Sequence, residues 1–299
     1  MHEPPGLDPT RRRFLVGGTA LAGAALLGAC GKDDKQPTAG TTATTSATSL
    51  ALAQFFGGPM FVAGRPLRAP FGVADADGLL PVARTPKQLE VQLVAPDGAD
   101  LGKPVVIASR HDSLPKAYFP LLATIDAPGI YTARTKIAGD TAEMQFQVYD
   151  AKDVQVIQLG SQLPALETPT VGDPRGVNPI CTRDPACPLH AVTVAQALAD
   201  GAPVALLVAS PAFCQIAICG PVLEVLLKVR AEYPNIRFIH AEVYADPAKD
   251  LNTYAPVVGP LALHFEPCLV LADRAGMVVD RIDTIYDRSE LRERLATVA

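Results

Sequence analysis

The stretch that decides the fold is Pro203–Tyr233, PVALLVASPAFCQIAICGPVLEVLLKVRAEY. Its opening run, Val204 to Ala209, is continuously apolar behind a Gly-Ala-Pro breaker, the pattern of a strand buried on both faces. Two cysteines follow, Cys214 and Cys219. From Val222 to Tyr233 the apolar residues fall at Val222, Val225, Leu226 and Val229, with Glu224, Lys228, Arg230 and Glu232 among the other positions, which is helical spacing. The sequence therefore predicts a buried strand, a loop with a cysteine pair, and a helix whose N-terminal end points at that pair. A helix N-terminus carries about half a positive charge, and that field favours the nucleophilic thiolate. Chemistry in this chain is expected here.

Working outward, a short helix is predicted over 192–200, ended by Gly201, and a strand over 236–243. Two further strands, 268–272 and 277–282, are joined by Asp273-Arg274-Ala275-Gly276, a hairpin by length and glycine placement. An amphipathic helix over 289–298 closes the chain. The order is β-α-β, a connection, then β-β-α.

That order resembles the thioredoxin-like superfamily, with a cysteine pair between the first strand and its helix and a proline just before the hairpin. The carriers are Cys214, Cys219-Gly220-Pro221, the Glu266-Pro267 step and the Asp273 to Gly276 turn. The resemblance implies an α/β thioredoxin-like domain over 181–299, a cis Pro267 packed against the active cysteines, and thiol-disulfide exchange through Cys214 and Cys219. It departs from the family at one point. The family separates its cysteines by two residues, whereas Val222 stands where a second cysteine would follow Cys219-Gly220-Pro221. Positions five apart in a regular helix are roughly 8.6 Å between Cα atoms, and a disulfide wants about 4.4–6.8 Å. The pair can close only if Cys214 precedes the helix in a loop bent back on Cys219. Either sulfur could attack: Cys219 by the Cys-Gly-Pro match, Cys214 by its nearness to the strand end.

Cys181 and Cys187 form a second pair on a Pro-rich loop, with no helix start to activate either thiol, and are read as a structural disulfide. Spacings within both pairs are too long for a zinc site built from the four cysteines, so neither a metal nor another cofactor is expected. Cys268 is read as a small buried residue of a core strand. Two alternatives to exchange stay open. One is a non-catalytic binding module with structural disulfides. The other is a copper-handling protein of the same fold, using Cys214, Cys219 and His264 or His240.

Upstream, 50–150 carries short strands separated by turn signals: Leu89–Val94, Val105–Ile107, Tyr118–Ile125, Ile130–Ile137 and Ala142–Tyr149. In the last, Met144, Phe146 and Val148 share one face. Such spacing predicts a β-sandwich. The segment Ala127-Pro128-Gly129-Ile130-Tyr131 resembles a turn of immunoglobulin-like domains, with Tyr131 as a corner tyrosine. His111-Asp112 is read as a solvated loop, and 151–180 as a linker with a strand at 155–159 and a turn at Val171-Gly172-Asp173-Pro174.

Residues 1–30 read as an address. Arg11-Arg12-Arg13 precede an uncharged run from Phe14 to Ala29 that is short for a membrane span. Arg11-Arg12 with Phe14-Leu15 resembles a twin-arginine export signal, and Leu27-Gly28-Ala29-Cys30 resembles a bacterial lipoprotein box with Cys30 as the lipidated residue. Residues 31–49 are Thr/Ala/Ser/Gly-rich and read as a flexible tether. At 299 residues, 48% hydrophobic and with a formal net charge of -5, the chain is globular and long enough for about two domains. It has no basic tract beyond the first fifteen residues, which speaks against nucleic-acid binding. The expectation is an extracytoplasmic protein, lipid-anchored in the cell membrane, whose partners are envelope proteins carrying thiols or disulfides.

Overall fold

The computed structural model describes residues 50–214 and 216–298, and all of them belong to one compact unit. The expected export signal, the lipidated Cys30 and the tether lie outside the described residues. Among these residues, no helix is long and apolar enough to cross a membrane.

The first half is two four-stranded sheets. One contains β1 (Ala51–Gln54), β2 (Pro66–Asp75) and β3 (Gly78–Leu79). The other is built from β4 (Gln88–Val94) and β5 (Asp100–Ala108), whereas β6 (Phe119–Thr124) returns to pair with β2. β7 (Gly129–Ile137) and β8 (Asp140–Val148) complete the second sheet in the order β5-β4-β7-β8. The sheets share one core: Met144, Phe146 and Val148, alternating along β8, lie with Leu89 and Val91 of the same sheet in one buried cluster with Phe71 and Phe119 of the other. Tyr131 Oη donates to the Ala127 carbonyl at 2.9 Å and fastens the turn that opens β7.

The second half begins with α1 (Val194–Ala199), whose N-cap Thr193 makes a capping box with Gln196. There follow β9 (Val204–Val208), α2 (Cys219–Val229), β10 (Arg237–Ala241) and a two-stranded ribbon, β11 (Tyr244–Asp246) with β12 (Asp250–Tyr254). The ribbon is not foreseen by the sequence pattern. β13 (Cys268–Ala272) and β14 (Val278–Asp283) form the hairpin, and α3 (Arg288–Leu295) closes the chain. The sheet order is β10-β9-β13-β14, with β9 and β10 parallel and β13 antiparallel to both neighbours. Every residue of β9 is buried: Ala205 and Leu207 pack under α2 and α3, and Val204, Leu206 and Val208 pack toward α1 and residues 255–261.

The halves are joined through buried polar groups. Arg68 of β2 makes a bidentate ion pair with Glu290 of α3, both contacts at 2.7 Å, and donates to the carbonyls of Asp283 at 2.9 Å and Ile285 at 2.5 Å. Tyr118 Oη donates to the same carboxylate and accepts from Asp287 N at 3.0 Å. The His111-Asp112 loop is not free in solvent: Asp112 accepts from Arg288 Nε at 3.0 Å and Ser289 Oγ at 3.1 Å, which seats the start of α3. Residues 151–180 bury Val154, Val156, Leu163 and Val177. The strand expected at 155–159 does not form; Ile157 N instead donates to Leu261 O at 3.1 Å.

Candidate functional site

β9 delivers the chain to the mouth of α2. After Val208 a turn closes with Phe213 N donating to Ser210 O at 3.0 Å, and Cys214 follows. The next residues return, with Ala217 at φ 53° and its N–H on Cys214 O at 3.2 Å. α2 starts at Cys219, three residues earlier than the apolar spacing predicts. The Cys219 N–H donates to Cys214 Sγ at 3.4 Å. Cys214 thus precedes the helix, in the bent-back loop that closure of the pair requires, and the ligating atoms of Cys214, Cys219 and Glu266 all lie within 4.8 Å of one another.

Glu266 immediately precedes Pro267, and the bond between them is cis. Its carboxylate accepts from Ser210 N at 2.8 Å, from Tyr244 Oη at 3.3 Å and from Cys219 Sγ at 3.4 Å. The three groups have divergent proton affinities. The hydrogen bond from Cys219, aided by backbone N–H groups at the helix start, pulls the half-buried Cys214 thiol down to about 6 against the opposing effect of burial. Burial, then the contact with Cys214 and the charge of Glu266, pushes Cys219 up. Burial also raises Glu266 to about 7. These directions favour a thiolate at Cys214 and a proton on Cys219, whose thiol lies against the Glu266 carboxylate. Cys268 is buried on β13, with its thiol 3.7 Å from Asp283 Oδ1, and burial raises it well above the ordinary range.

A second constellation joins the loop before α1 to β10. Cys181, Cys187, His190 and His240 are all buried, and their ligating atoms fall within 4.8 Å of one another. Cys187 Sγ is 3.3 Å from His190 Nε2 and 3.4 Å from His240 Nδ1, and Cys181 Sγ is 3.7 Å from the same Nδ1. Both cysteines stand as free thiols, with Cys187 N–H on Cys181 Sγ at 3.4 Å. The hydrogen bond from Cys187 holds Cys181 low, and that same contact, together with burial, holds Cys187 high. Burial pulls His240 down, but the bond to Cys181 and the charge of Glu242 outweigh it and leave the imidazole raised.

The structure thus brings Cys214, Cys219 and the Glu266-Pro267 step together. Among the described residues, neither histidine of the copper alternative joins Cys214 and Cys219 in such a group: His240 faces Cys181 and Cys187, and the His264 ring lies against Gly58, where an added Cβ would stand 2.6 Å from it. Sequence reasoning passed over Glu266 as a site residue, because a lone carboxylate carries no motif. His190 had a signal that was not used, the Cys187-Pro188-Leu189-His190 spacing, two residues between potential ligands.

No family model and no curated protein matches the chain. Among solved structures it is similar to the PKD domain from the human VPS10 domain-containing receptor SorCS2, with 17% identity and a TM-score of 0.21, over 45% of this chain and 98% of that one. A TM-score at that level does not establish a shared fold.

Proposed function

We propose that this chain is an exported, lipid-anchored protein with an immunoglobulin-like sandwich followed by a thioredoxin-like half, and that it exchanges thiols with disulfides through Cys214 and Cys219. The β10-β9-β13-β14 sheet with α2 and α3 on one side supports the thioredoxin-like reading, and the bond from Tyr131 to Ala127 supports the immunoglobulin-like one. The observation that carries the activity is the low, half-exposed Cys214 thiol at the mouth of α2, against a buried Cys219 and a half-buried carboxylate.

The Cys214 thiolate attacks one sulfur of a partner's disulfide. A Cys214–partner bond forms, the partner's S–S bond breaks, and its second sulfur leaves as a thiolate that takes a proton from water. Glu266 then accepts the proton of Cys219, and the Cys219 thiolate attacks Cys214 Sγ. The Cys214–Cys219 disulfide forms and the first partner sulfur departs, taking up the proton. The partner is reduced by two electrons and this chain is oxidised by two; the reverse sequence donates the disulfide. The burial of Cys219 and the partial exposure of Cys214 support Cys214 as the attacking residue.

The test is a trap. Cys219→Ser should accumulate a mixed disulfide at Cys214 with a model disulfide substrate, and Cys214→Ser should abolish reaction while leaving the circular dichroism spectrum unchanged. Loss of fold rather than of reaction in Cys214→Ser would count against an exchange role and for a purely structural pair.

A further inference from the structure

The cluster of Cys181, Cys187, His190 and His240 is independent of the exchange site, and its geometry points to a closed site for one zinc ion. Zinc takes thiolate at about 2.3 Å and imidazole nitrogen at about 2.0–2.1 Å in a tetrahedron, so a sulfur and a nitrogen on one ion lie about 3.5 Å apart. Three of the four sulfur-to-nitrogen pairs here are 3.3, 3.4 and 3.7 Å apart, and all four donor atoms lie within 4.8 Å of one another.

The imidazoles are oriented for the task. His240 Nε2 donates to the Ala209 carbonyl at 2.9 Å, so its Nδ1 presents a lone pair to the two sulfurs. A backbone carbonyl in that position is the usual outer partner of a zinc-bound histidine. His190, only 1% exposed, turns Nε2 to Cys187, and its Nδ1 has no hydrogen-bond partner. Binding through Nε2 would put the proton of His190 on Nδ1, which lacks the outer partner that His240 has.

The alternative chemistry for the two thiols, a Cys181–Cys187 disulfide, removes the hydrogens that the sulfurs could offer. His240 Nδ1 would then be a buried acceptor facing sulfur with no donor. With zinc, two thiolates and two neutral imidazoles cancel the +2 charge, so the buried centre is neutral. Four protein donors fill a tetrahedron and leave no position for substrate, which makes the site structural.

The ion would fasten the loop at 181–190 to β10. That loop also supports the exchange site: Thr182 Oγ1 accepts from Ala212 N at 3.2 Å, two residues before Cys214, and Thr182 N donates to the buried Glu242 at 2.7 Å. Zinc bound here would therefore hold the cysteine loop of α2 in place from below.

The experiment is metal analysis of the full chain, purified reduced and without chelator after growth with both zinc and copper. About one zinc per chain is expected. Cys187→Ser and His190→Ala should each weaken zinc binding by about a hundredfold or more in competition with a chromophoric chelator, whereas Cys214→Ser with Cys219→Ser should leave it unchanged. Because ligand variants can misfold, the wild-type chain supplies a second readout: cobalt(II) should give the absorption of a tetrahedral thiolate site, and zinc should protect Cys181 and Cys187 from alkylation until a chelator is added. A chain that isolates with a Cys181–Cys187 disulfide and takes up no zinc after reduction would overturn the inference. So would copper in place of zinc, or zinc lost with Cys214 and Cys219.

Discussion

Cys219 Sγ lies 3.4 Å from a carboxylate oxygen of Glu266, a residue 47 positions away that is held over the helix mouth by the step into the β13 strand. Burial raises that carboxyl to about 7, close to the working pH of a proton acceptor. Glu266→Gln should leave attack by Cys214 nearly intact and slow the resolving step by about a hundredfold. Stopped-flow decay of the mixed disulfide measures it directly, and an unchanged decay would remove Glu266 from the mechanism.

The same residue makes a stability prediction. The folded carboxyl titrates near 7 and the unfolded one near 4.5, so between those values the folded protein binds a proton that the unfolded chain has released. Wild-type stability should fall as pH rises through that window and stay lower above it. Glu266→Gln lacks this loss. Relative to wild type, the reduced variant should gain roughly 2–3 kcal/mol between pH 4.5 and pH 8 in urea unfolding.

Cys214 should alkylate as a low-pKa thiol. The iodoacetamide rate at this residue should rise with pH through a midpoint near 6, against about 8.5 for an ordinary cysteine, and Cys219 should stay unreactive in the folded chain. Peptide mapping after timed labelling separates the two.

Arg68 and Glu290 tie the sandwich to α3 in a buried pair that shares Tyr118. Glu290→Ala leaves Arg68 charged and buried without its partner, and should cost about 3–5 kcal/mol. Because cores and polar groups cross the joint, wild type should unfold in one transition seen alike from both halves; two separated transitions would show independent domains.

The proposed twin-arginine route carries folded protein, so on that reading Arg11→Lys with Arg12→Lys should block export and leave the chain in the cytoplasm. Cell fractionation with an antibody decides it; normal export of the double variant would favour the general secretory route.

Much of this architecture is legible in the sequence where one force dominates. Val204–Val208 has to be a doubly buried strand, and Met144, Phe146 and Val148 alternate because one face of β8 meets the core. β2 is hidden by its own composition. Pro66, Pro70 and Gly72 argue against a central strand, yet Pro66 stands at the first position of β2, and Pro70 sits opposite Pro120 in the pairing with β6, so those two each face a partner that lacks an N–H as well. The sites are legible only in part. Cys214 and Cys219 announce themselves by adjacency to a helix start, and His190 could be read from its spacing to Cys187, whereas Glu266 and His240 enter by tertiary folding from positions far along the chain. Reading Cys181 and Cys187 as a disulfide, from their Pro-rich loop and the lack of an activating helix start, left out the two imidazoles that the fold sets against them.

The central claim is that Cys214 and Cys219 are an exchange pair. The measurement that tests it most directly is equilibration of the full chain in glutathione buffers of graded potential, with mass-spectrometric assignment of each cysteine. The pair should interconvert between dithiol and disulfide at a potential within the roughly −120 to −270 mV span of exchange-active proteins. A Cys214–Cys219 disulfide that persists below about −300 mV, as structural disulfides do, would contradict the account.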